Sequence, residues 1–419
     1  MSEATTTKAS GGLLGWVDER FPLTKMWNEH IGEYYAPKNF NFWYYFGSLA
    51  LIVLVNQLLT GIWLTMNYNP SAEGAFASVE YIMRDVEWGW LIRYMHSTGA
   101  SAFFVVVYLH MFRALMYGSY QKPRELIWIF GMIIYVVLMA EAFMGYMLPW
   151  GQMSFWGAQV IISLFGAIPG VGEQLALWIR GDYNISGVTL NRFFALHVVA
   201  LPLALVGLVV FHILALHEVG SNNPDGVDIK KTKDASGKPK DGIPFHPYYT
   251  VKDTFGLGVF LIFFSAVLFF APEMGGLFLE APNFEPANPL QTPDHIAPVW
   301  YFTAFYAILS AVPHKFGGVV AMGLAIIVLF FLPWIDRGKV RSIRYRGLGH
   351  KVALFSFATA FVCLSYLGIQ EGGDIILGLT VTRWSQLWSG VYFGFFVFLF
   401  VYTAFGFERT KPVPERVTD

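Results

Sequence analysis

Charged residues and cysteine are scarce in this sequence, and each shortage excludes a class of protein. Only 14% of the 419 residues are charged and 55% are hydrophobic, whereas soluble globular chains have roughly 25% charged residues. This composition excludes a disordered chain and most cytosolic enzymes. The single cysteine, Cys363, excludes internal disulfides, thiolate zinc sites and a CxxCH haem attachment. The net charge of −1 offers no basic surface to nucleic acid, so the composition indicates a membrane protein.

Long stretches without charge predict eight transmembrane helices. A helix needs about 20 apolar residues to cross the hydrocarbon core of a bilayer. The predicted spans are 42–68, 89–117, 126–149, 191–217, 255–271, 318–335, 350–369 and 385–407. We therefore predict an all-α integral membrane protein, preceded by a frayed polar tail at residues 1–12.

The distribution of Lys and Arg predicts the orientation of these helices. If the N-terminus is cytoplasmic, all but six of the 28 Lys and Arg residues fall on the cytoplasmic side. Such residues accumulate in the cytoplasmic connections of membrane proteins. Both termini are therefore predicted to lie on the cytoplasmic side of a bacterial inner membrane. The periplasmic side carries long connections at 150–190 and 272–317, and loops of this length usually have a function.

Two of the predicted helices each carry a pair of histidines. The second helix has His96 and His110, which are 14 residues apart. The fourth has His197 and His212, which are 15 apart. Either spacing keeps a pair near one helix face and separates it by about 21 Å along the axis. Since both helices begin on the same side of the membrane, their histidines are level in two cross-helix pairs, which suits bis-histidine ligation of two stacked haems.

Glycines follow the same period in the two neighbouring helices. The first predicted helix has Gly47 and Gly61, and the third has Gly131 and Gly145. A glycine lets a flat macrocycle approach the backbone closely, so one glycine per helix is expected at each haem level. The alternatives are helix packing through small residues and histidines that pack helices or relay protons in a transporter. Neither alternative explains the shared 14-residue period.

Two arginines flank the histidines of the second predicted helix. Arg93 and Arg113 each lie three residues from a histidine, at opposite ends of that helix. A guanidinium group pairs well with the carboxylates of haem propionates. The alternative is an ordinary arginine at the membrane interface.

Together with further motifs, these residues resemble cytochrome b of the respiratory cytochrome bc complex, quinol–cytochrome c reductase. The resemblance covers roughly residues 23–408. Its motifs are GYMLPWGQMSFWGAQVI (145–161), NRFFALH (191–197), LHEVGSNNP (216–224), YYTVKDTFG (248–256) and NPLQTPDHIAPVWYFTAFYAIL (288–309). A different di-haem membrane anchor would explain the histidines, and a transporter the topology, but neither accounts for the last motif.

The resemblance implies the protonmotive Q cycle. Quinol is oxidised on the periplasmic side, where one electron goes to a Rieske iron–sulfur protein and then to a cytochrome c-type subunit. The other electron crosses through a low-potential b haem at His96 and His197. It then passes through a high-potential b haem at His110 and His212 and reduces quinone near the cytoplasm. Partner chains must supply the iron–sulfur and c-type centres, and the resemblance implies a homodimer and propionate binding by both arginines.

The resemblance also implies two quinone sites. The quinone-reduction site maps to His217, Ser221, Lys252 and Asp253. A histidine and a carboxylate at the cytoplasmic membrane edge can supply the protons that a reduced quinone requires. The quinol-oxidation site maps to Phe143, Tyr146, Met153, Gly157, Pro298, Val299, Trp300 and Tyr301.

The quinol-oxidation motif departs from the commonest family form at one position. That form is Pro-Glu-Trp-Tyr, whose glutamate is proposed to accept a quinol proton, but this chain has Val299. Valine cannot carry a proton. We expect the role to have moved to Glu141, the only acidic residue within a predicted span, since a charge at that depth costs about 2.5–3.5 kcal/mol. The alternatives are His295, Asp294, or a protonated Glu141 that only joins helices.

The 15-residue spacing in the fourth helix is a second departure, since mitochondrial relatives have 14. One extra residue rotates a ligand by about 100°. Pro202 follows His197 by five residues and is expected to kink the helix and restore the register.

The predicted organisation has five segments. These are an N-terminal cytoplasmic arm (1–41), a di-haem four-helix bundle (42–217), a cytoplasmic loop (218–254), a C-terminal helical region with a periplasmic quinol-site loop (255–407, loop 272–317) and a cytoplasmic tail (408–419).

Overall fold

The computed structural model describes residues 12–418 and consists mainly of long apolar helices. In that part of the chain, eight helices carry the architecture. They are α1 (Tyr45–Thr65), α2 (Gly89–Tyr117), α3 (Glu125–Met147), α4 (Gly187–Val219), α5 (Phe245–Phe270), α6 (Lys315–Phe330), α7 (Leu348–Leu367) and α8 (Val381–Ala404). Seven are long and apolar enough to cross a bilayer, and α6 is a shorter apolar helix. The prediction of an all-α, multi-pass membrane protein is confirmed. Residues 1–11 of the predicted polar tail lie outside the described residues.

Short elements connect these helices. The short helices are Leu13–Asp18, Leu23–Trp27, Asn28–Gly32, Phe42–Tyr44, Ala75–Arg84, Gln152–Phe165, Gly172–Arg180, Ile229–Lys231, Met274–Gly276, Ala281–Phe284, Trp300–Phe302, Thr303–Ser310 and Leu332–Ile335. The strands are β1 (Tyr35–Pro37), β2 (Gly242–Pro244), β3 (Ile375–Ile376) and β4 (Leu379–Thr380), paired antiparallel as β1 with β2 and β3 with β4. The short helices of the long connections place the residues of the quinol motif.

Two helices differ most from their predicted bounds. Helix α5 begins at Phe245, ten residues before the predicted start, because the helix continues past the apolar stretch and includes Lys252 and Asp253. The predicted loop 218–254 is correspondingly shorter. Helix α6 ends at Phe330 and a separate turn follows at Leu332–Ile335, where a proline has no N–H to continue the helix.

Helix α4 contains one π-helical turn, Leu196–Ala200, which includes His197. Such a turn has i→i+5 hydrogen bonds and accommodates an extra residue within an α-helix. Pro202 stands directly after this turn, at the start of the following α-helical part, where its missing N–H costs little. The 15-residue histidine spacing is therefore accommodated by the π-helical turn, and not by the expected kink at Pro202.

Helices α1 to α4 form a four-helix bundle in which α1 packs along α2 and α3 along α4. Beside it, α7 packs along α8, and helix Thr303–Ser310 packs on both of them and on α6. One large buried core, rich in Phe, Tyr and Leu, joins the bundle to these C-terminal helices. The polar residues described below lie within this apolar frame, so the frame fixes their positions.

The strand pair β1–β2 ties the arm before α1 to the start of α5. Tyr35 is opposite Pro244 in this pair, and the Phe245 backbone N–H donates to the Tyr34 carbonyl at 2.7 Å. The chain after α8 also returns to this side, where Arg416 makes two hydrogen bonds, of 2.6 and 2.8 Å, to the Asp241 carboxylate. Both chain ends therefore help to close the same end of the bundle.

Candidate functional site

The bundle brings the four helix histidines together in two pairs. The ring centroids of His96 and His197 are 6.1 Å apart, and those of His110 and His212 are 6.4 Å apart. Two imidazoles that share one metal ion through bonds of about 2.0 Å have their centroids roughly 6.3 Å apart. Among the described residues, no cluster of three or more His, Cys, Asp or Glu side chains could hold a metal ion. A haem iron needs only two axial protein ligands, so both pairs fit this group.

Each of the four periodic glycines faces one of these histidines. A Cβ atom on Gly47 would lie 3.4 Å from the His110 ring, and one on Gly131 would lie 3.4 Å from the His212 ring. At the other level, a Cβ on Gly61 would lie 3.2 Å from the His96 ring. The glycines therefore mark the histidine levels in the structure, as their common period predicts.

The closest of these approaches is at Gly145. A Cβ there would come within 2.9 Å of His197 Nδ1 and nearer still to the adjacent ring carbon. Contacts under 3.0 Å are essentially absent for real Cβ atoms, so any larger residue must displace the imidazole. This glycine is needed for the position of the His197 ring itself.

Hydrogen bonds to Nδ1 orient the rings of the first pair. His96 Nδ1 lies 2.9 Å from Thr60 Oγ1, which itself donates to the Asn56 carbonyl at 2.6 Å. His197 Nδ1 lies 2.9 Å from the Glu141 carbonyl oxygen. A ring that donates through Nδ1 presents Nε2 as a metal ligand in a fixed orientation. Thr60 and Asn56 could have been suspected from their polarity within an apolar span.

Arg113 lies beside the second pair. Its Nη2 is 3.3 Å from His110 Nδ1, and its guanidinium carbon is 4.7 Å from the centre of the Tyr44 ring. Its buried Nε has no hydrogen-bond partner. Arg93 lines the cavity at the first pair, together with His96. Both predicted propionate-binding arginines thus lie at the histidine level to which the sequence assigned them.

One cavity joins the first histidine pair to the predicted quinol-oxidation site. His96 and His197 line it together with Tyr146, Val299 and Tyr301. A ligand in the mouth of this cavity would therefore lie next to the histidine pair.

The Trp and Tyr of the quinol motif are held firmly against α2. Trp300 Nε1 donates to Ser101 Oγ at 3.1 Å. The Tyr301 ring stacks on Phe104 with a centroid distance of 4.0 Å, and its carbonyl accepts a hydrogen bond of 2.5 Å from the Tyr108 hydroxyl. These contacts hold Val299, which follows Pro298, at the cavity wall.

The remaining predicted residues of this site lie at the end of α3 and on the helix that follows it. The Phe143 ring is 5.5 Å from that of Phe193. Met153 is buried, and a Cβ on Gly157 would be 3.8 Å from the Tyr146 ring. These residues thus lie around Tyr146, which lines the cavity.

Glu280 is a site residue that the sequence analysis missed. Its carboxylate accepts a hydrogen bond from the Tyr146 hydroxyl, and burial raises the pKa of Glu280 to about 7, although the Tyr146 hydrogen bond opposes this shift. It lies next to Phe278 and Leu279 of the cavity lining. Glu280 lies outside the predicted spans and well before the motif at 298–301 in the chain, so neither of these criteria indicates it. An acidic residue between apolar ones in the long loop was the available signal.

The other candidate proton acceptors lie in different surroundings. Glu141 lines the cavity, but its Oε1 is 3.1 Å from His197 Nδ1 and its buried Oε2 has no partner. His295 Nε2 donates to the Ile369 carbonyl at 3.0 Å, and this histidine lines a separate cavity. Asp294 is exposed. Of these three, only Glu141 is in the cavity that contains Val299.

At the opposite end of the bundle, two of the predicted quinone-reduction residues meet at Tyr34. The Tyr34 ring stacks on His217 with a centroid distance of 4.3 Å, and its hydroxyl is 2.9 Å from Ser221 Oγ. Burial raises the pKa of the Tyr34 hydroxyl, so it remains protonated. Tyr34 was not predicted, because the arm before α1 has no motif that marks it.

The other two residues of this site are on α5. Lys252 Nζ lies 4.4 Å from the centre of the Tyr248 ring, and the partly buried Asp253 lies beside Ser48 of α1. The backbone hydrogen bond between Phe245 and Tyr34 connects this helix to the residue that contacts His217 and Ser221.

Comparisons with known proteins agree with this geometry. The family described as cytochrome b/b6/petB matches residues 31–220, and the family described as cytochrome b(C-terminal)/b6/petD matches residues 286–403. The chain is 60% identical to a cytochrome b of Allochromatium vinosum over 97% of this chain and 98% of that one. It is 48% identical to a cytochrome b of Rickettsia prowazekii over 99% of this chain and 100% of that one.

A solved structure gives the same result. The chain is similar to a chain of a hyperthermophilic respiratory complex III, with a TM-score of 0.85, 36% identity, and coverage of 94% of this chain and 99% of that one. The family predicted by resemblance is thereby confirmed: the chain belongs to the cytochrome b/b6 family.

Proposed function

We propose that this chain is the cytochrome b subunit of a quinol–cytochrome c reductase that translocates protons by a Q cycle. The observation that carries the proposal is the pair of histidine levels, each with two histidines and two facing glycines. When bound there, two b-type haems supply one-electron transfer between the two quinone sites. The family membership and the complex III similarity support the same function.

The first histidine pair marks the oxidising end. Tyr146, Val299 and Tyr301 share a cavity with His96 and His197, so quinol bound among them is oxidised next to the first pair. The Lys and Arg distribution puts this end on the periplasmic side and both termini in the cytoplasm of a bacterial cell, where the membrane is the inner one. Mobile electron acceptors in the periplasm can reach only this end.

Glu280 accepts a proton from quinol in this proposal. The motif residue Val299 cannot do so, whereas the Glu280 carboxylate has a pKa of about 7 and bonds to Tyr146 in the cavity wall. A base whose pKa is near the working pH is well suited to proton transfer. The prediction for Glu141 remains open to test, since its carboxyl also lines the cavity, but its contact with His197 assigns it first to the orientation of that ring.

At the cytoplasmic end, His217 and Asp253 supply protons to the reduced quinone. A quinone that gains two electrons binds two protons at its oxygens, and an imidazole and a carboxyl group can each deliver one. The hydroxyls of Tyr34 and Ser221 orient this site, and Lys252, beside the Tyr248 ring, adds a positive charge on the same helix as Asp253.

The subunit needs partners for the complete reaction. A Rieske iron–sulfur protein takes the first electron and passes it to a cytochrome c-type subunit, because this chain has one cysteine and no CxxCH motif to hold either centre. The complex is proposed to be a homodimer embedded in lipid, and no nucleic acid takes part.

A reduced-minus-oxidised optical spectrum of the purified membrane protein, with haem quantified per chain, tests the proposal. We expect two b-type haems per chain, in part reducible by quinol. A protein without haem would overturn the proposal and favour the alternative of a transporter with a histidine relay.

A further inference from the structure

Arg124 has a buried guanidinium group without a charged partner. It precedes α3 as the N-cap residue and is only 2% exposed. Its Nε donates to the Gly220 carbonyl at 3.1 Å, whereas its Nη1 is buried without any hydrogen-bond partner. Within residues 12–418, no carboxylate lies within 4.0 Å of this guanidinium.

The neighbours of Arg124 carry further unpaired donors. Tyr44 is near enough to affect its charge, and the Tyr44 hydroxyl is itself buried without a partner. Arg113 also lies near Tyr44, 4.7 Å from the ring centre, and its Nε is buried and unpaired. Three unpaired donors, two of them cationic, thus lie around one aromatic ring.

Such a cluster is costly unless an anion completes it. An unpaired buried charge strongly destabilises a protein, and a buried donor without an acceptor has lost its hydrogen bonds to water without a replacement. Burial, followed by the like charge of Arg341, lowers the pKa of Arg124 to about 10, and Asp228 opposes this shift only in part. Arg124 nevertheless remains cationic at neutral pH, so its charge calls for a negative partner.

The position of the cluster identifies this partner. Arg113 lies 3.3 Å from His110, so the cluster borders the second histidine pair through Arg113. We propose that Arg124, together with Arg113 and the Tyr44 hydroxyl, binds a propionate carboxylate of the haem held by His110 and His212. This proposal rests on the function proposed above. Carboxylates are the anionic groups that a b-type haem carries, and guanidinium groups bind them in charge-assisted hydrogen bonds.

The interaction has a consequence for electron transfer. A cation held near a haem in a medium of low dielectric favours the reduced form, which carries one more negative charge. Arg124 therefore raises the midpoint potential of the haem at the second pair, in the direction needed to draw electrons away from the first pair.

Redox titration of the purified complex tests this assignment with three variants. R124Q removes the positive charge and the unpaired Nη1 donor. R124K keeps the charge but lacks the planar set of guanidinium donors. R341Q removes the charge of a neighbouring arginine whose guanidinium already donates to two backbone carbonyls. We expect R124Q to lower the potential of the second haem and to leave that of the first unchanged. R124K should give a smaller shift, and R341Q none.

A second readout separates propionate binding from a general effect of charge. Redox-induced infrared difference spectra, recorded with haem labelled with ¹³C at its propionates, should show a shifted carboxylate band in R124Q and an unchanged one in R341Q. Equal shifts of potential in R124Q and R341Q, or an unshifted carboxylate band in R124Q, would overturn the assignment.

Arg124 also lies near Tyr34, so the competing interpretation is that Arg124 binds quinone in the quinone-reduction site. Weaker quinone binding in R124Q with both haem potentials unchanged would place Arg124 in that site and overturn the proposal. These outcomes differ from failure of the proposed function, in which the unchanged protein would contain no haem to titrate.

Discussion

The two histidine pairs have the same ligands but different surroundings. At the first pair, the Glu141 carboxyl lies 3.1 Å from His197 Nδ1, and Arg93 lines the same cavity. At the second pair, Arg113 lies 3.3 Å from His110 Nδ1. The first level therefore has a carboxyl group beside a histidine ring, whereas the second has a guanidinium group there.

This difference gives the bundle a direction. A cationic surrounding favours an added electron, and a carboxylate disfavours it. If a haem is bound at each level, as proposed, this difference favours transfer of an electron from the first pair towards the second. In that proposal the histidines hold the two carriers, and the charged side chains around them set the direction of electron transfer.

Removal of one ligand is the strongest test of the comparison. H197L and H212L each take one of the two protein ligands from one level only, so each variant should retain one haem of the proposed two. Haem quantified per chain, with the spectrum of the remaining one, measures the outcome. A variant that retains both haems would show that its histidine is not a ligand.

Glu141, which lines the cavity, and Glu280, which accepts a hydrogen bond from the cavity residue Tyr146, are distinguished by E141Q and E280Q. If Glu280 accepts the quinol proton, E280Q slows quinol oxidation by about 100-fold or more, and E141Q leaves it nearly unchanged. Steady-state quinol oxidation measures both, with reduction of the haems through the other quinone site as a control for intact protein. The reverse result would support the prediction made from the sequence for Glu141.

The pH dependence of the same reaction provides a further test. Only the carboxylate form of Glu280 can accept a proton, so the rate in the unchanged protein should rise with pH through about 7, the pKa of this group. In E280Q that rise should disappear. An unchanged pH profile in E280Q would exclude Glu280 as the acceptor.

Substitutions of the glycines test how closely the helix backbone approaches the histidine ring at each level. G145A places a Cβ within 2.9 Å of His197 Nδ1, whereas G131A, on the same helix, brings its Cβ only to 3.4 Å from the His212 ring. We therefore expect G145A to lose much of the haem at the first level and G131A to retain that at the second. Spectra of the two variants, purified in parallel, compare them directly, and equal retention would contradict the difference.

The smallest effect is expected at Tyr34. Y34F removes only the hydroxyl that bonds Ser221 and retains the ring stacked on His217. A single hydrogen bond contributes about 0.5–1.5 kcal/mol, so oxidation of the reduced haems by quinone should slow only a few-fold. Y34L, which also removes the ring, should slow it further, and identical rates in both variants would exclude a role for the stacked ring.

Helix α4 shows how far spacing alone could lead. The count of 15 residues between His197 and His212 was correctly recognised as a departure from register, and a proline nearby suggested a kink. The structure instead inserts a π turn at Leu196–Ala200, just before Pro202. Spacing indicates that a residue must be accommodated, but backbone hydrogen bonding decides how.

The quinol site shows a different limit. The sequence placed its aromatic residues, because their motif is continuous, but it could not place Glu280 against Tyr146, 134 residues away in the chain. Likewise, nothing near Arg124 in sequence indicates Tyr44, which lies on another helix. Contacts between distant segments follow from how the helices pack, and local patterns in one sequence do not reveal this packing.

The sequence by itself determined the membrane-spanning character, the helix positions to within a few residues except at the start of α5, the two histidine levels and the family. Each of these depends on local composition or on periodicity along one helix, which the 1.5 Å rise and 100° turn convert directly into position. Only the tertiary structure decided which charged groups face each level and which carboxyl group meets Tyr146. Those contacts join segments far apart in the chain, and their energies depend on burial, which exists only once the helices have packed together.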